Sequence, residues 1–508
     1  MVFVNIVLLL LILGLVIFVH ELGHFLLAKK AGILCFEFAL GMGPVVYQKK
    51  KGETVYSLRL LPIGGYVAMA GESIDAALVK VGDKIGVNLD EAGNVSQICL
   101  DETIEASQIG TVLELDLYGK DEKELYLKMT SPNGAVTYSV NRNANYVYNY
   151  RQERQLAVAE RSFENKKWLP RFLTIIAGPL MNFIFAFFIL VLIAAIQGQP
   201  QNRNEIGSST IFERGDIITQ VGNIQTNNWN DIRQVLINNN HEVIDITFIR
   251  GGVTDTLTVN VDIIIQTLGF TNIGIENSNG TIKVGSTVGR AAEAGLRRYD
   301  VITSIRFGQN LKTELTDWGS LLLFLRENDG NQVELTILRD GTAHTIRYEA
   351  FPLETLEALG VLPFFTSLNI SPVRRFNVWY LFTYPFSQIG NDLSQMGTTI
   401  GLLFSPNSGV GAGDLTGPIG MFGLVSNASA AGFVSILSMI AFLSINIGII
   451  NLLPFPALDG GRLTFLIIEG VTKKRLSIKV ENIVNLIGFF LLMMLVIFVA
   501  FNDILRLF

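Results

Sequence analysis

Val16-Ile17-Phe18-Val19-His20-Glu21-Leu22-Gly23-His24-Phe25-Leu26-Leu27-Ala28 places three ionisable side chains inside an apolar run that begins at Val2. Two histidines four residues apart share one face of a helix and can hold a single zinc ion. The glutamate between them points to nearly the same side and can take a proton from water held there. Zinc lowers the pKa of such a water to about 7, and a carboxylate completes general-base activation. At the centre of a membrane-spanning helix, an ionisable residue costs at least ~2.5–3.5 kcal/mol on insertion scales. A helix end at the membrane surface would account for one such residue, but hardly for three in metal-binding register.

A catalytic zinc usually takes three protein ligands. The positions where a metzincin would carry its glycine and third histidine hold Leu27 and Lys30. The remaining histidines, His241 and His344, fall in a hydrophilic region far along the chain. The strongest candidate is Asp459, in Asn451-Leu452-Leu453-Pro454-Phe455-Pro456-Ala457-Leu458-Asp459-Gly460-Gly461. A Pro/Gly turn carrying a solvated aspartate is the competing reading of that segment.

Composition agrees with a membrane setting: of 508 residues, 49% are hydrophobic and only 17% charged. The excess is concentrated in four runs, 2–28, 172–196, 433–453 and 483–501, each near the ~20 residues needed to cross a bilayer. The first lacks a basic leader and a small-residue cleavage site, which marks it as a retained span. A net charge of −6 gives no reason to expect nucleic acid as a partner. The two cysteines, Cys35 and Cys99, lack metal-ligand spacing and suggest a reducing compartment rather than a disulfide framework.

Basic residues cluster at 29–59, 161–171 and 462–479. All three clusters fall on one face if the chain crosses four times with both termini outside. The weaker run 378–404 contains Pro385, Asn391 and Asp392. An amphipathic helix lying in the outer interface suits it better than a fifth span, which would reverse the side of the 462–479 cluster.

The expected fold is a polytopic α-helical membrane protein with four transmembrane helices. It divides into a first span (1–30), a membrane-associated β-hairpin (31–72), a cytosolic β-rich insertion (73–168) and a second span (169–198). In the hairpin, alternating residues stand between glycine turns; in the insertion, period-two alternation at 113–117 and 124–129 leads to a turn at Ser131-Pro132-Asn133-Gly134. A repeat of about 85 residues follows, at 200–268 and 269–352. In each copy an aspartate-led strand (Asp216, Asp300) precedes a helix opening on tryptophan (Trp229, Trp318) and a strand ending in a glycine turn. A linker with the interfacial helix (353–430), the third span (431–461), a cytosolic loop (462–482) and the fourth span (483–508) complete the chain.

His20-Glu21-Leu22-Gly23-His24 taken with Asn451–Gly461 resembles the site-2 protease family of intramembrane zinc metalloproteases, specifically its bacterial regulator-of-sigma-E protease branch. The similarity extends to Gly41-x-Gly43, Gly64-Gly65-Tyr66-Val67, Ala177-Gly178-Pro179-Leu180-Met181-Asn182-Phe183 and Leu415-Thr416-Gly417-Pro418-Ile419. By that resemblance His20, His24 and Asp459 would bind Zn2+ and Glu21 would be the catalytic base. The hairpin, with Gly41 and Gly43, would pair with an extended substrate strand, and Asn446 and Asn451 would hold substrate backbone or the oxyanion. Asn182 would have a supporting role. The repeat would be a pair of extracytoplasmic PDZ-like domains filtering substrates by size. Substrates would be single-span proteins of the bacterial inner membrane, such as anti-sigma factors or signal-peptide remnants, already trimmed by a site-1-type protease and cleaved near the cytosolic face. The insertion departs from the usual family pattern. A catalytically silent PDZ-bearing scaffold and a metal-ion carrier are the alternatives. The first would have lost a ligand or the glutamate, and the second would carry polar residues along several spans.

Overall fold

The computed structural model describes residues 2–71, 78–101, 104–120, 123–132, 134–148, 152–272, 281–315, 317–328, 330–405, 408–411, 415, 417–475 and 477–505. The helices run α1 Val2–Lys30, α2 Trp168–Gln197, α3 Trp229–Asn238, α4 Arg290–Glu293, α5 Trp318–Glu327, α6 Leu353–Ala358, α7 Val378–Leu403, α8 Pro418–Ala431, α9 Phe433–Leu452, α10 Asp459–Thr472 and α11 Ile478–Leu505. Helices α1, α2, α9 and the Lys479–Ile504 part of α11 are long and apolar enough to cross a membrane. They correspond to the four apolar runs; α1, α2 and α11 are lengthened by polar or aromatic ends that a hydropathy reading does not count, while α9 keeps nearly the expected bounds. Half of the most apolar stretch of α9 is buried within the protein, against 17% for α1 and 11% for α11. Helix α9 is therefore the inner helix, while α1 and α11 leave most of their apolar surface to lipid. The chain separates into two compact units, Met1–Ile189 with Phe422–Val496 and Leu190–Met421 with Ile497–Phe508.

In the first unit, α1 leads into two long strands, β1 (Cys35–Lys51) and β2 (Thr54–Met69). They bend back on themselves: residues 37–40 meet 55–58 on one side and 68–65 on the other, while 47–51 pair with 58–54. The ribbon thus becomes a small layered sheet with 65–68 along one margin. Phe25, Ala28, Phe38, Val67, Ile175 and Leu463 share a core that joins this sheet to α1, α2 and α10. Helix α9 is tied to α2 by Ser444 Oγ, which donates to Asn182 O at 2.9 Å.

The insertion between β2 and α2 consists of β3 (Lys84–Leu89), β4 (Val95–Cys99), β5 (Gln108–Asp116), β6 (Tyr126–Ser131), β7 (Gly134–Tyr148) and β8 (Gln152–Gln155). Their order is β4-β3-β5-β6-β7-β8, and a further β4–β7 pairing closes the sheet on itself. Val87, Ile98, Leu127 and Met129 fill its interior. Closure leaves little open strand edge, so the insertion has a core of its own. Asn133 of the expected turn lies outside the described residues; β6 ends at Ser131 and β7 begins at Gly134 on either side of it.

The second unit contains the two repeat copies. In the first, strands 217–221, 243–250 and 253–260 pair in a four-stranded sheet that also takes 224–225. In the second, 301–307, 332–339 and 342–349 pair in the same manner. Arg250 grips Asp216 through Nε (2.9 Å) and Nη2 (2.6 Å), and Arg339 grips Asp300 through Nε (2.7 Å) and Nη2 (2.6 Å). Side chains of Asn228 and Asp317 cap the N-termini of α3 and α5. One continuous apolar core, from Ile206 through Trp318 to Leu368, serves both copies.

The larger sheet also takes Asp262–Ile265 and Phe364–Ser367. Divisions at 268/269 and 352 therefore cut through one sheet, because these short strands lie about a hundred residues apart and neither shows a readable alternation. The 353–430 segment, expected as a linker around one helix, contains α6, α7 and α8. Gly420 N at the start of α8 donates to the buried Asp503 carboxylate at 2.9 Å. Thr416 of the 415–419 motif lies outside the described residues.

Candidate metal centre and its cavity

Helix periodicity stacks His20 and His24 one turn apart on α1. Asp459 is the first residue of α10, where a helix N-terminus favours a carboxylate. The two prolines at 454 and 456 end α9 and let the chain turn into α10. Three donor atoms converge: His20 Nε2 lies 3.1 Å from Asp459 Oδ2, His24 Nε2 lies 3.1 Å from the same oxygen, and the two Nε2 atoms are 3.2 Å apart. Zinc bonds of 2.0–2.1 Å in a tetrahedron require donor separations of about 3.3 Å. The donor set thus fits zinc in both chemistry and spacing. Among the described residues, His20, His24 and Asp459 form the group able to hold a metal ion.

The second nitrogen of each ring has a partner. His24 Nδ1 lies 2.8 Å from Thr174 O, which can accept only if Nδ1 carries the proton, so Nε2 keeps its lone pair. His20 Nδ1 lies 3.3 Å from the carboxamide Nδ2 of Asn182, a fully buried residue whose Oδ1 has no partner. The amide oxygen and nitrogen exchange places by a half-turn. Turned so, the orphan oxygen accepts Nδ1–H from His20 and frees that ring's Nε2 for a metal. A buried acceptor in need of a donor, next to a histidine in need of an acceptor, is what a metal ligand on His20 requires.

Close helix contact sets these positions. A Cβ on Gly178 of α2 would stand 2.2 Å from His24 Nε2, and one on Gly23 of α1 would stand 2.3 Å from Ala177 O. Only glycine lets α2 lie against the imidazole. Gly65 of β2 packs against the glutamate, though less tightly: its Cβ would meet Glu21 Cγ at 3.0 Å.

The donors and Glu21 open onto a cavity of about 620 Å³. Six consecutive β2 residues, Gly64 to Met69, line it. Successive strand residues point to opposite faces, so a cavity that touches six in a row runs along the strand's edge. Tyr66 in that edge is braced by Glu37, which accepts from Tyr66 Oη (2.8 Å), Ser57 Oγ (2.5 Å) and Arg59 Nη2 (2.7 Å). Burial pushes the Glu37 carboxyl up, but these three donors outweigh it and hold it below its ordinary value. Burial and the Glu37 carboxylate push the Tyr66 phenol up to about 12.

Of the residues singled out by sequence, His20, Glu21, His24, Asp459 and Asn451 line the cavity. Asn446 donates instead to Phe442 O of its own helix at 2.8 Å. Gly41 and Gly43 both have φ of +84° and shape the ribbon away from the cavity wall. Thr174 and Arg154, which also lines the cavity, escaped the sequence reading, and Gly65 and Gly178 stood there only as motif residues without a role. Nothing local reveals what these four do, because each acts through a neighbour distant in sequence.

The sequence pattern of Peptidase family M50 matches residues 8–495. The chain is 31% identical over 507 residues to zinc metalloprotease RasP of Bacillus licheniformis, with 98% of both chains covered. It is 30% identical over 511 residues to regulator of sigma-W protease RasP of Bacillus subtilis, with both chains covered throughout. It is 30% identical over 499 residues to zinc metalloprotease RasP of Geobacillus kaustophilus, covering 98% of this chain and 97% of that one.

Proposed function

The chain belongs to peptidase family M50, the site-2 proteases, and from that premise we propose how its residues divide the work of an intramembrane zinc metalloprotease. His20, His24 and Asp459 hold the zinc, and Glu21 is the general base. One observation carries this reading: three donor atoms 3.1–3.2 Å apart, from α1 and α10, stand beside Glu21 in a single cavity. Zinc, when bound, supplies a Lewis acid that polarises the scissile carbonyl and makes water more acidic.

The chain's own residues supply the rest. The Glu21 carboxylate takes a proton from the attacking water and passes it to the leaving amine nitrogen. The edge of β2 from Gly64 to Met69 offers backbone groups to an extended substrate, which adds as a strand. Gly41 and Gly43 shape the ribbon that presents this edge. Asn451, and Asn446 once released from Phe442 O, supply amide donors for substrate backbone or the developing oxyanion. Thr174 and Asn182 keep the imidazoles in the tautomer that presents Nε2.

The substrates we assign are transmembrane segments of single-span proteins, anti-sigma factors or signal-peptide remnants, pre-trimmed by a site-1-type protease. The B. subtilis relative is named for regulating sigma-W, which supports the first of these. Clustered lysines and arginines support a topology in the bacterial inner membrane with both termini outside and the site near the cytosolic face. The repeat copies would then be PDZ-like domains on the outer side that restrict substrates by size.

The test is cleavage of a single-span substrate by the purified protein and its Glu21→Gln variant, with zinc content measured in both. The variant should retain zinc while cleavage falls by at least ~10²-fold, the usual contribution of a positioned base. Zinc-loaded Glu21→Gln cleaving at the normal rate would remove Glu21 from this role. Unchanged zinc occupancy in Asp459→Ala would remove Asp459 as a ligand.

A further inference from the structure

We infer that Asn485 of α11 is a positioning residue of the metal centre, which holds the strained turn that delivers Asp459. This rests on the assignment of Asp459 as a zinc ligand and adds a third helix to that site.

Asp459 opens α10, so the residues just before it decide where its carboxylate stands. Leu458, at the N-cap, makes no side-chain bond that would fix the helix start. One residue earlier, Ala457 has φ of +75°, in the left-handed region that residues with a Cβ rarely enter. Such a conformation persists only where its surroundings impose it. Ala457 is exposed, so packing around its methyl group does not do so.

Neighbouring elements impose it instead. Pro456 has a fixed φ, and α11 lies directly against it. A Cβ on Gly488 would stand 2.4 Å from Pro456 Cβ and 2.6 Å from Pro456 O. Gly461 of α10 also closes on the turn, where a Cβ would stand 2.5 Å from Phe455 O. These contacts fix where the turn lies, but not how the peptide plane after Pro456 is rotated. Asn485 sets that rotation. It precedes Gly488 by three residues, on the same face of α11, and its Oδ1 accepts from Ala457 N at 3.3 Å. Directing this N–H selects the left-handed conformation at Ala457, and with it the entry of the chain into α10.

Asn485 lines the same cavity as Ala457, Leu458 and Asp459. It is an amide in a helix whose most apolar stretch is only 11% buried. A leucine of similar size would serve packing there as well; what the carboxamide supplies is the acceptor. Without it Ala457 relaxes toward negative φ. Asp459, two residues on, then leaves its place 3.1 Å from Nε2 of His20 and of His24, where metal ligands tolerate shifts of only about 0.2 Å.

The experiment is chelator competition for zinc on the full-length protein in detergent. Asn485→Leu should bind zinc at least ~10-fold more weakly, the usual effect of losing a partner behind a ligand. Asn485→Asp, which keeps an oxygen for Ala457 N, should bind at least as tightly as wild type. Adding Ala457→Gly to Asn485→Leu should recover the loss, because glycine takes positive φ without strain. Cobalt(II) in place of zinc reports coordination geometry. Its visible bands should change in Asn485→Leu and return in the double variant. A packing defect in α11 would not be repaired by a glycine at 457. The inference is overturned if Asn485→Leu binds both metals as wild type does. It is equally overturned if Asn485→Asp loses as much affinity as Asn485→Leu, or if Ala457→Gly restores nothing. Wild-type affinity in Asp459→Ala would instead overturn the ligand assignment, and the inference with it.

Discussion

Gly178→Ala adds one methyl group where α2 lies against the imidazole of His24. The new Cβ would stand 2.2 Å from Nε2, 2.6 Å from Cε1 and 2.8 Å from Cδ2, whereas ordinary contact begins at 3.4 Å. The helices or the ring must therefore give by roughly 1 Å, in a core where overpacking costs about 1–3 kcal/mol. The ring cannot slide far without losing its 2.8 Å contact with Thr174 O. Its Nε2 should leave the donor triangle, although metal ligands tolerate displacements of only about 0.2 Å. Zinc affinity should fall at least ~100-fold, which is about 2.8 kcal/mol. Competition against a fluorescent chelator, on purified protein in detergent, measures this directly. Gly448→Ala is the control: its Cβ would meet Phe183 Cε2 at 3.2 Å and Pro179 O at 3.3 Å, with no ligand involved. It should leave zinc affinity unchanged. If Gly178→Ala binds zinc as tightly as wild type and cleaves at the same rate, close approach of α2 does not position His24.

Asn182→Leu should weaken zinc binding by about 10–100-fold, the usual effect of losing a partner behind a ligand. Asn182→Asp, which still accepts Nδ1–H from His20, should recover part of the loss in the same competition assay. Arg339→Met strips the guanidinium from Asp300, whose side chain is 2% exposed; thermal unfolding should show a loss of about 3–5 kcal/mol in the repeat unit. Arg347→Met, at the exposed pair with Glu334, should leave thermal unfolding close to that of wild type. Acid should act through Asp216, whose carboxyl is held below the usual carboxylate range by its hydrogen bond from Arg250. The folded value lies below the unfolded one, so this stabilisation is present above about pH 4 and disappears as pH falls through the folded value. Hydrogen exchange in the first repeat copy should accelerate below pH 4, and less steeply in Asp216→Asn.

Much of the frame was legible because it depends on local sums. Twenty or so apolar residues suffice to mark a span, and His20 and His24 declare themselves by a four-residue spacing. Asp459 was reachable only by asking what completes a three-ligand site. Asn182 stood out as an amide in a span, but its contact with His20 joins residues 162 positions apart, and no periodicity encodes such a contact. Gly178 and Gly65 act by what they lack, which shows only when a helix or a glutamate lies against them. Helix α8 hid inside the 353–430 segment because Ser426, Asn427 and Ser429 interrupt its apolar pattern. The larger repeat sheet crossed the expected boundaries because the pairing of 262–265 with 364–367 depends on tertiary contact alone.

The shared core of the two repeat copies has a mechanical consequence. Ile206, Trp318 and Leu368 belong to one apolar cluster, so swinging one copy away from the other would expose apolar surface that the two share. The pair should melt in a single transition and move as one plate. A cut or a destabilising change in either copy would loosen both, and deleting one would strip the other of apolar partners it packs against.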